Sequence, residues 1–298
     1  MAAVGRIPFT KMHGAGNDFV VLDGVRDALP PLEDLARPIA DRHRGIGCDQ
    51  LLVVRPSQTA DFRMEIYNAD GSQAEMCANG IRCFFQYLRD AGHTQAEQVR
   101  VETLSGVVVP RGRGDGWVTV DMGAPILAPA KIPTRLGEPA GPGPVLDVPL
   151  ELEAQTRTVS VVSMGNPHCI VEVADLDRFP VARVGAEIEH HPAFPNRVNV
   201  EFIERVDRGR IRQRTWERGT GETLACGSGA CAVAVSQRLR GVVDPEVVIA
   251  LRGGELRIAW EGESASVFMT GPAATVFAGE LDPGALRAAA ATPPTGEE

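Results

Sequence analysis

The chain has 298 residues, with 30 Lys and Arg against 39 Asp and Glu, for a formal net charge of −9. An acidic balance without a basic run excludes a nucleic-acid partner held by its phosphates, though not a small anionic substrate. Hydrophobic residues at 44% and charged residues at 23% are globular values, and six cysteines in a chain this long do not suggest a disulfide scaffold.

No apolar run reaches membrane-spanning length, and the opening MAAVGRIPFT lacks the apolar core of a secretion signal. The expectation is therefore a cytoplasmic protein with no membrane partner and about two domains.

In chain order, Pro8–His13 reads as a strand, GAGNDF from Gly14 as a turn, and Phe19–Asp23 as a second strand. Pro31–His43 carries Leu32, Leu35 and Ile39 at helical spacing, which predicts a helix. The loop RGIGCDQ (Arg44–Gln50) leads into the strand Leu51–Val54. Phe62–Tyr67 predicts a strand that passes through a Gly-containing turn into Cys77 and a helix from about Asn79 to Ala91. Strands follow at Val99–Thr103, Gly106–Pro110 and Trp117–Met122.

Residues 124–150 contain seven prolines and read as an extended connector, not a domain. Beyond it come Arg157–Ser163, the motif MGNPHC (Met164–Cys169), the strand Ile170–Val173 and a helix over Pro180–His190. Asn199–Arg205 and Arg210–Trp216 precede a second Gly-rich turn, Cys226, and a small-residue helix ending at Gly241. Four strands close the pattern, at Glu246–Leu251, Glu255–Trp260, Ala265–Thr270 and Thr275–Ala278. The Ala/Pro/Gly/Glu tail over 283–298 is expected to fray.

The two cysteine turns superpose at one offset. Cys77 and Cys226, Asn68 and Glu217, Gln50 and Asn199, and Asn17 and Asn166 are each 149 residues apart, half the chain length. Four polar or thiol positions sharing an ungapped offset indicate an internal duplication. The fold class is therefore α+β, with two pseudo-symmetric domains, each a curved mixed sheet wrapped round a central helix. The halves are placed at 1–123, with a return strand at about 271–282, and at 156–270, with the connector at 124–155 between them.

Each half presents a cysteine where a turn enters a helix. The helix N-terminal field favours a thiolate there, and the free first-turn amides can hold a carboxylate. Two thiols facing one carbon can take a proton from one side and return one to the other, provided they hold opposite protonation states. That is stereochemical inversion. First-turn amides near Ala78-Asn79 and Gly227-Ser228 would stabilise the charge that moves onto the neighbouring carboxylate.

Cofactors are not called for. Only Lys11 and Lys131 are present, and neither sits where a Schiff-base lysine belongs. No dinucleotide or P-loop glycine motif occurs. The spacings Cys77-x5-Cys83 and Cys226-x4-Cys231 are not zinc-ligand spacings, so no metal is expected.

Taken together, HGAGNDF, GCDQ, NADGS, MCANGIRC, GNPH and ERGTGETLACGSGAC resemble the diaminopimelate epimerases, from about Lys11 to Cys231 with a final segment at GPA from Gly271. That resemblance implies cofactor-independent interconversion of LL- and meso-diaminopimelate, on the route to lysine and peptidoglycan, by a homodimer. It implies Cys77 and Cys226 as the acid/base pair, with His168 and Glu217 beside the reacting centre. Asn17, Gln50, Asn68, Asn166, Asn199 and Arg218 would line the substrate site, with backbone amides from Ala78, Asn79, Gly227 and Ser228. Arg218 suits a two-pronged grip on the substrate's far carboxylate. Ala78 departs from the Gly usual in the family, which is tolerable only at negative φ.

Two alternatives stay open. A related racemase acting on proline, hydroxyproline or histidine would need no distal clamp, and a proline-type site would show His where Asn79 stands. In a thiol-disulfide redox protein Cys77 and Cys226 would cross-link without turnover. Cys48, Cys83, Cys169 and Cys231 read as inert buried thiols.

Overall fold

A computed structural model describes residues 5–137 and 143–291. The backbone forms two compact units, Met1–Val120 with Pro272–Glu298, and Asp121–Gly271. The connector residues 138–142 and the tail residues 292–298 lie outside the described residues. Among the described residues no helix is long and apolar enough to cross a membrane.

The first unit contains β1 (Ile7–Gly14), β2 (Asn17–Asp23), α1 (Ala36–Ala40), β3 (Gln50–Arg55), β4 (Phe62–Asn68), α2 (Ala78–Asp90), β5 (Val101–Thr103) and β6 (Gly106–Val108). A short antiparallel hairpin of β7 (Arg111–Gly112) and β8 (Trp117–Asp121) follows. The second unit carries β9 (Val145–Glu151), β10 (Thr156–Ser163), β11 (Pro167–Glu172), α3 (Val181–Glu189), β12 (Asn199–Asp207), β13 (Arg210–Glu217), β14 (Gly221–Thr223) and α4 (Gly227–Leu239). It ends with β15 (Glu246–Leu251), β16 (Gly254–Ala259) and β17 (Phe268–Pro272), after which β18 (Ala274–Leu281) and α5 (Pro283–Ala291) rejoin the first unit.

The first unit's seven-stranded sheet runs β18-β1-β2-β3-β4-β5-β6 and mixes parallel pairs (β2/β3, β4/β5) with antiparallel ones. Its α2 is buried almost all round over Asn79–Phe85, which is how a helix enclosed by a sheet must read. That helix packs on β1, β2, β3 and β18 together, so the sheet has to curve about it. The opposite face buries Leu32, Leu35 and Ile39 with Leu281 and Leu286.

The second unit repeats the plan, with its strands in the order β17-β16-β15-β13-β12-β11-β10-β9. Helix α4 is buried from Gly229 through Gln237 and touches β10, β11, β12, β15 and β16. Its Gly, Ala and Ser content lets those strands approach closely. The outer face of that sheet is covered by α3, with Val181, Val184 and Ile188 packed against Val200 and Phe202.

Three expectations are corrected. The helix foreseen over Pro31–His43 is only Ala36–Ala40. Pro38 has no N–H to give the carbonyl four residues back, so the helix cannot extend toward Pro31. Leu32, Leu35 and Ile39 still form one buried face.

The proline-rich connector is not extended throughout. Pro129–Lys131 makes a 3-10 turn, Ile132 joins the second core, and β9 pairs antiparallel with β10. Pro149 is accommodated there because β9 is the last strand of its sheet.

The tail folds as α5 up to Ala291. The Asp282 Oδ1 atom accepts from Gly284 and Ala285 N–H, capping a helix with proline in first position.

The buried thiols outside the two turns carry a testable consequence. Burial pushes Cys48 and Cys83 up to about 12, from an ordinary thiol value of 9.0. An unfolded chain releases these protons from about pH 9 upward while the folded chain keeps them. Stability is therefore complete below that range and falls as pH rises through it, by about 1.4 kcal/mol per pH unit for each thiol. Thermal midpoints measured from neutral pH upward should drop more steeply for the wild type than for Cys48→Ala/Cys83→Ala, whatever its absolute stability.

Candidate active site

In the first unit the strand ends bring the foreseen residues to one edge of the sheet. Parallel β2 and β3 begin at Asn17 and Gln50, antiparallel β4 ends at Asn68, and the turn after it delivers Cys77 to the start of α2. Gln50 and Asn68 are register partners, and Gln50 Nε2 donates to Asn68 Oδ1 at 2.8 Å. Gln50 Oε1 is buried and has no hydrogen-bond partner among the described residues, so it is a ready acceptor for a ligand N–H.

Cys77 is the N-cap of α2, and its Sγ accepts the Gly80 N–H at 3.3 Å. The Cys77 Sγ lies 3.8 Å from Asn17 Oδ1, which also receives Asn79 Nδ2 at 3.2 Å. Asn17 is held the other way round by Asp49, whose Oδ2 accepts from Asn17 Nδ2 at 2.7 Å. Asn79 is oriented in turn by the fully buried Arg82, which donates to Asn79 Oδ1 at 2.8 Å and to the Ala78 carbonyl at 3.0 Å.

Asp49, Asp18 and Arg42 form an ion-paired cluster, with Arg42 Nη2 at 2.6 Å from Asp49 and 2.7 Å from Asp18. Lys11 joins through Asp18 at 2.5 Å and the Gly47 carbonyl. Burial alone would raise the Asp18 carboxyl, but Arg42 and Lys11 outweigh it and hold it well below the usual carboxylate range. Asp49 and Arg82 lie inside the quoted motifs, yet spacing gave them no role. Ala78 is the first helical residue of α2 and is not among the positive-φ residues, so the missing glycine leaves no strain there.

In the second unit β11 and β12 are parallel partners with His168 opposite Asn199, while Asn166 precedes β11 and Glu217 ends β13. Asn199 Oδ1 accepts the Arg218 N–H at 2.9 Å. Buried Glu189, the last residue of α3, grips both sides of the same turn. It accepts from Trp216 Nε1 at 2.7 Å and from Gly219 N–H at 2.9 Å. The backbone that carries Arg218 is thus fixed, while its side chain is exposed, with Nη1 donating to the Asn196 carbonyl at 3.0 Å. Glu217 Oε1 accepts from Thr223 Oγ1 at 2.5 Å.

Cys226 is the N-cap of α4 and is 6% exposed, with Sγ 3.6 Å from Ser228 Oγ. Here the sequence expectation is reversed. Burial pushes this thiol well above 9.0, the Glu217 and Glu201 carboxylates add to the rise, and donors from Ser228 and Gly229 only partly oppose it. The helix field that would favour a thiolate is outweighed by desolvation beside two carboxylates.

Glu201 was not foreseen. It is fully buried, accepts or shares a proton with His168 Nδ1 at 2.8 Å, and lies beneath Gly229, where an added Cβ would stand 2.4 Å from its Oε1. His168, Glu201 and Cys226 offer ligand atoms within 4.8 Å of one another, the set among the described residues that could hold a metal ion. Within that set His168 Nδ1 and Glu201 Oε1 are hydrogen-bonded to each other.

The family model described as diaminopimelate epimerase matches residues 9–128 and 160–276. The diaminopimelate epimerase of Aromatoleum aromaticum is 52% identical over 276 residues, covering 92% of this chain and 98% of that protein. That of an Azoarcus species is 53% identical over 278 residues, covering 93% and 99%. Among solved structures, a hydroxyproline epimerase from Agrobacterium vitis with bound trans-4-hydroxy-L-proline superposes with a TM-score of 0.65 at 19% identity, covering 93% of each chain. A PhzF-family phenazine biosynthesis protein from Bacillus anthracis superposes at 0.68 with 18% identity, covering 93% and 99%. These structures share the fold.

Proposed function

Because the chain belongs to the diaminopimelate epimerase family, we propose that it interconverts LL- and meso-diaminopimelate with Cys77 and Cys226 as its two proton-transfer groups. One observation carries the assignment of the cysteines. Both stand as N-cap residues of thirteen-residue helices enclosed by their sheets, with Asn17 and Asn166 presented at matching positions.

In each turnover one sulphur takes the α-proton as a thiolate and the other, as a thiol, gives a proton to the opposite face. The electron pair left on the α-carbon delocalises onto the neighbouring carboxylate. First-turn amides of α2 and α4 are the donors for that charge, each worth about 3 to 4 kcal/mol where such donors have been removed. His168 and Glu217 poise the thiols, and Asn17, Gln50, Asn68, Asn166, Asn199 and Arg218 hold the substrate. A homodimer in the cytoplasm, free of pyridoxal phosphate, belongs to the same reading.

The fold shared with the hydroxyproline epimerase makes a smaller substrate the competing reading. Asn79 in place of His, and Arg218 as a distal clamp, favour diaminopimelate. Protein incubated with reductant and LL-diaminopimelate in deuterated water, without added cofactor, should yield meso product deuterated at one α-carbon. Exchange with proline or hydroxyproline instead would keep the two thiols and overturn the substrate. No exchange with any amino acid would overturn the epimerase reading itself.

A further inference from the structure

Behind Cys226 the second unit carries a line of side chains that the first unit does not reproduce. Cys226 Sγ is 3.6 Å from Ser228 Oγ, and Ser228 Oγ accepts from Asn166 Nδ2 at 3.4 Å. Asn166 Oδ1 faces His168 Nε2 at 3.0 Å, and His168 Nδ1 meets Glu201 Oε1 at 2.8 Å. The orientation of the Asn166 amide sets the protons along this line. With Nδ2 spent on Ser228, the serine hydroxyl hydrogen is left for the sulphur. With Oδ1 as acceptor, His168 must carry a hydrogen on Nε2, so Nδ1 and Glu201 share a single proton.

The first unit shows what the position would hold without this line. Leu52 is the residue 149 positions before Glu201, and Gly80 is 149 before Gly229. The packing is the same, because an added Cβ at Gly80 would meet Leu52 Cδ2 at 3.2 Å, as one at Gly229 would meet Glu201 Oε1 at 2.4 Å. Asn17, the counterpart of Asn166, is turned the other way, with Nδ2 on Asp49 and Oδ1 toward Cys77. One sheet thus places leucine under its helix glycine, and the other a fully buried carboxylate whose Oε2 has no hydrogen-bond partner among the described residues. Burying a carboxylate where an aliphatic side chain fits is unfavourable for stability, so its return is sought in function.

We infer that Glu201 is a positioning residue for Cys226, acting through His168, Asn166 and Ser228 to aim the serine hydroxyl at the sulphur. The inference rests on Cys226 being one of the two proton-transfer groups. It makes the two half-sites unequal by construction, since the first unit has Leu52 where the second has Glu201.

The test uses Glu201→Leu, which copies the first unit, and Glu201→Gln, whose amide can still donate to His168 Nδ1. In Glu201→Leu, kcat should fall roughly tenfold to a hundredfold, the range carried by outer partners of reactive groups in metal sites, with KM within about twofold. Glu201→Gln should restore most of the rate. The thermal midpoint of Glu201→Leu should not drop, so the loss cannot be ascribed to unfolding. Independently of turnover, nitrogen-15 spectra of the histidine rings should show His168 protonated on Nε2 in the wild type and in Glu201→Gln, and altered in Glu201→Leu. Unchanged kcat in Glu201→Leu, or equal losses in both variants, overturns the inference. An inactive wild type with the expected His168 spectra would instead overturn the proposed reaction and leave the hydrogen-bonded line standing.

Discussion

Replacing either Cys77 or Cys226 with alanine is expected to abolish inversion, lowering kcat/KM by about four orders of magnitude. That is the upper end of what one positioned acid or base contributes. Neither substitution should unfold the protein, because each removes a single sulphur from a helix start and leaves the caps' backbone geometry, extended in both cases, open to alanine. The two variants should differ in what survives. A lone thiolate can still take a proton from the stereoisomer that presents one to it and hand back deuterium from solvent, without inversion. Each variant should therefore wash deuterium into one stereoisomer and not the other, and the pair should do so in complementary fashion. That pattern assigns each sulphur to a face. Inversion within tenfold of wild type in either variant would remove that cysteine from the mechanism.

The turns that carry Cys77 and Cys226 were legible in the sequence because short-range chemistry wrote them. A turn, a cap residue and a small first helical turn are local signals, and α2 and α4 begin directly after Cys77 and Cys226. The duplication was legible because an ungapped offset survives whatever the tertiary structure does. Glu201 was illegible for the opposite reason. It lies in the run Val200–Ile203, every member of which is fully buried, because β12 is packed by α3 on one face and α4 on the other. With both faces covered, the alternation of polar and apolar residues no longer reports which way a side chain points. A charged residue inside such a run, facing a helix glycine, is the signal that would have found it.

The rise of the Cys226 thiol escaped the sequence for a related reason. A helix start is visible in the residues, but the depth at which it is buried, and the Glu217 and Glu201 carboxylates gathered round it, come from two separate strands and a helix. Strand β9 escaped because prolines in a connector read as irregular. Only the sheet order shows that Pro149 occupies an edge, where its missing N–H leaves no ladder bond broken.

Arg218→Met is expected to raise KM for diaminopimelate by roughly tenfold to a hundredfold, the equivalent of losing a charge-assisted hydrogen bond of about 1.5 to 3 kcal/mol. The side chain is exposed, but the backbone beneath it is not loose. Asn199 holds its N–H from β12, and Glu189 pins Trp216 and Gly219 on either side from α3. Gly185 allows this close approach, since a Cβ there would sit 2.6 Å from the Trp216 ring. So much fixed structure around one exposed guanidinium suits a clamp better than a solvated surface charge. Arg218→Lys separates charge from geometry, because lysine keeps the positive charge without the planar fork. It should recover part of the lost affinity and not all of it. If the far carboxylate also helps to align the α-carbon, kcat will fall together with the rise in KM, as happens when remote binding energy orients the reacting centre. A KM within about twofold of wild type in Arg218→Met would return Arg218 to the surface and reopen the case for a substrate without a second carboxylate.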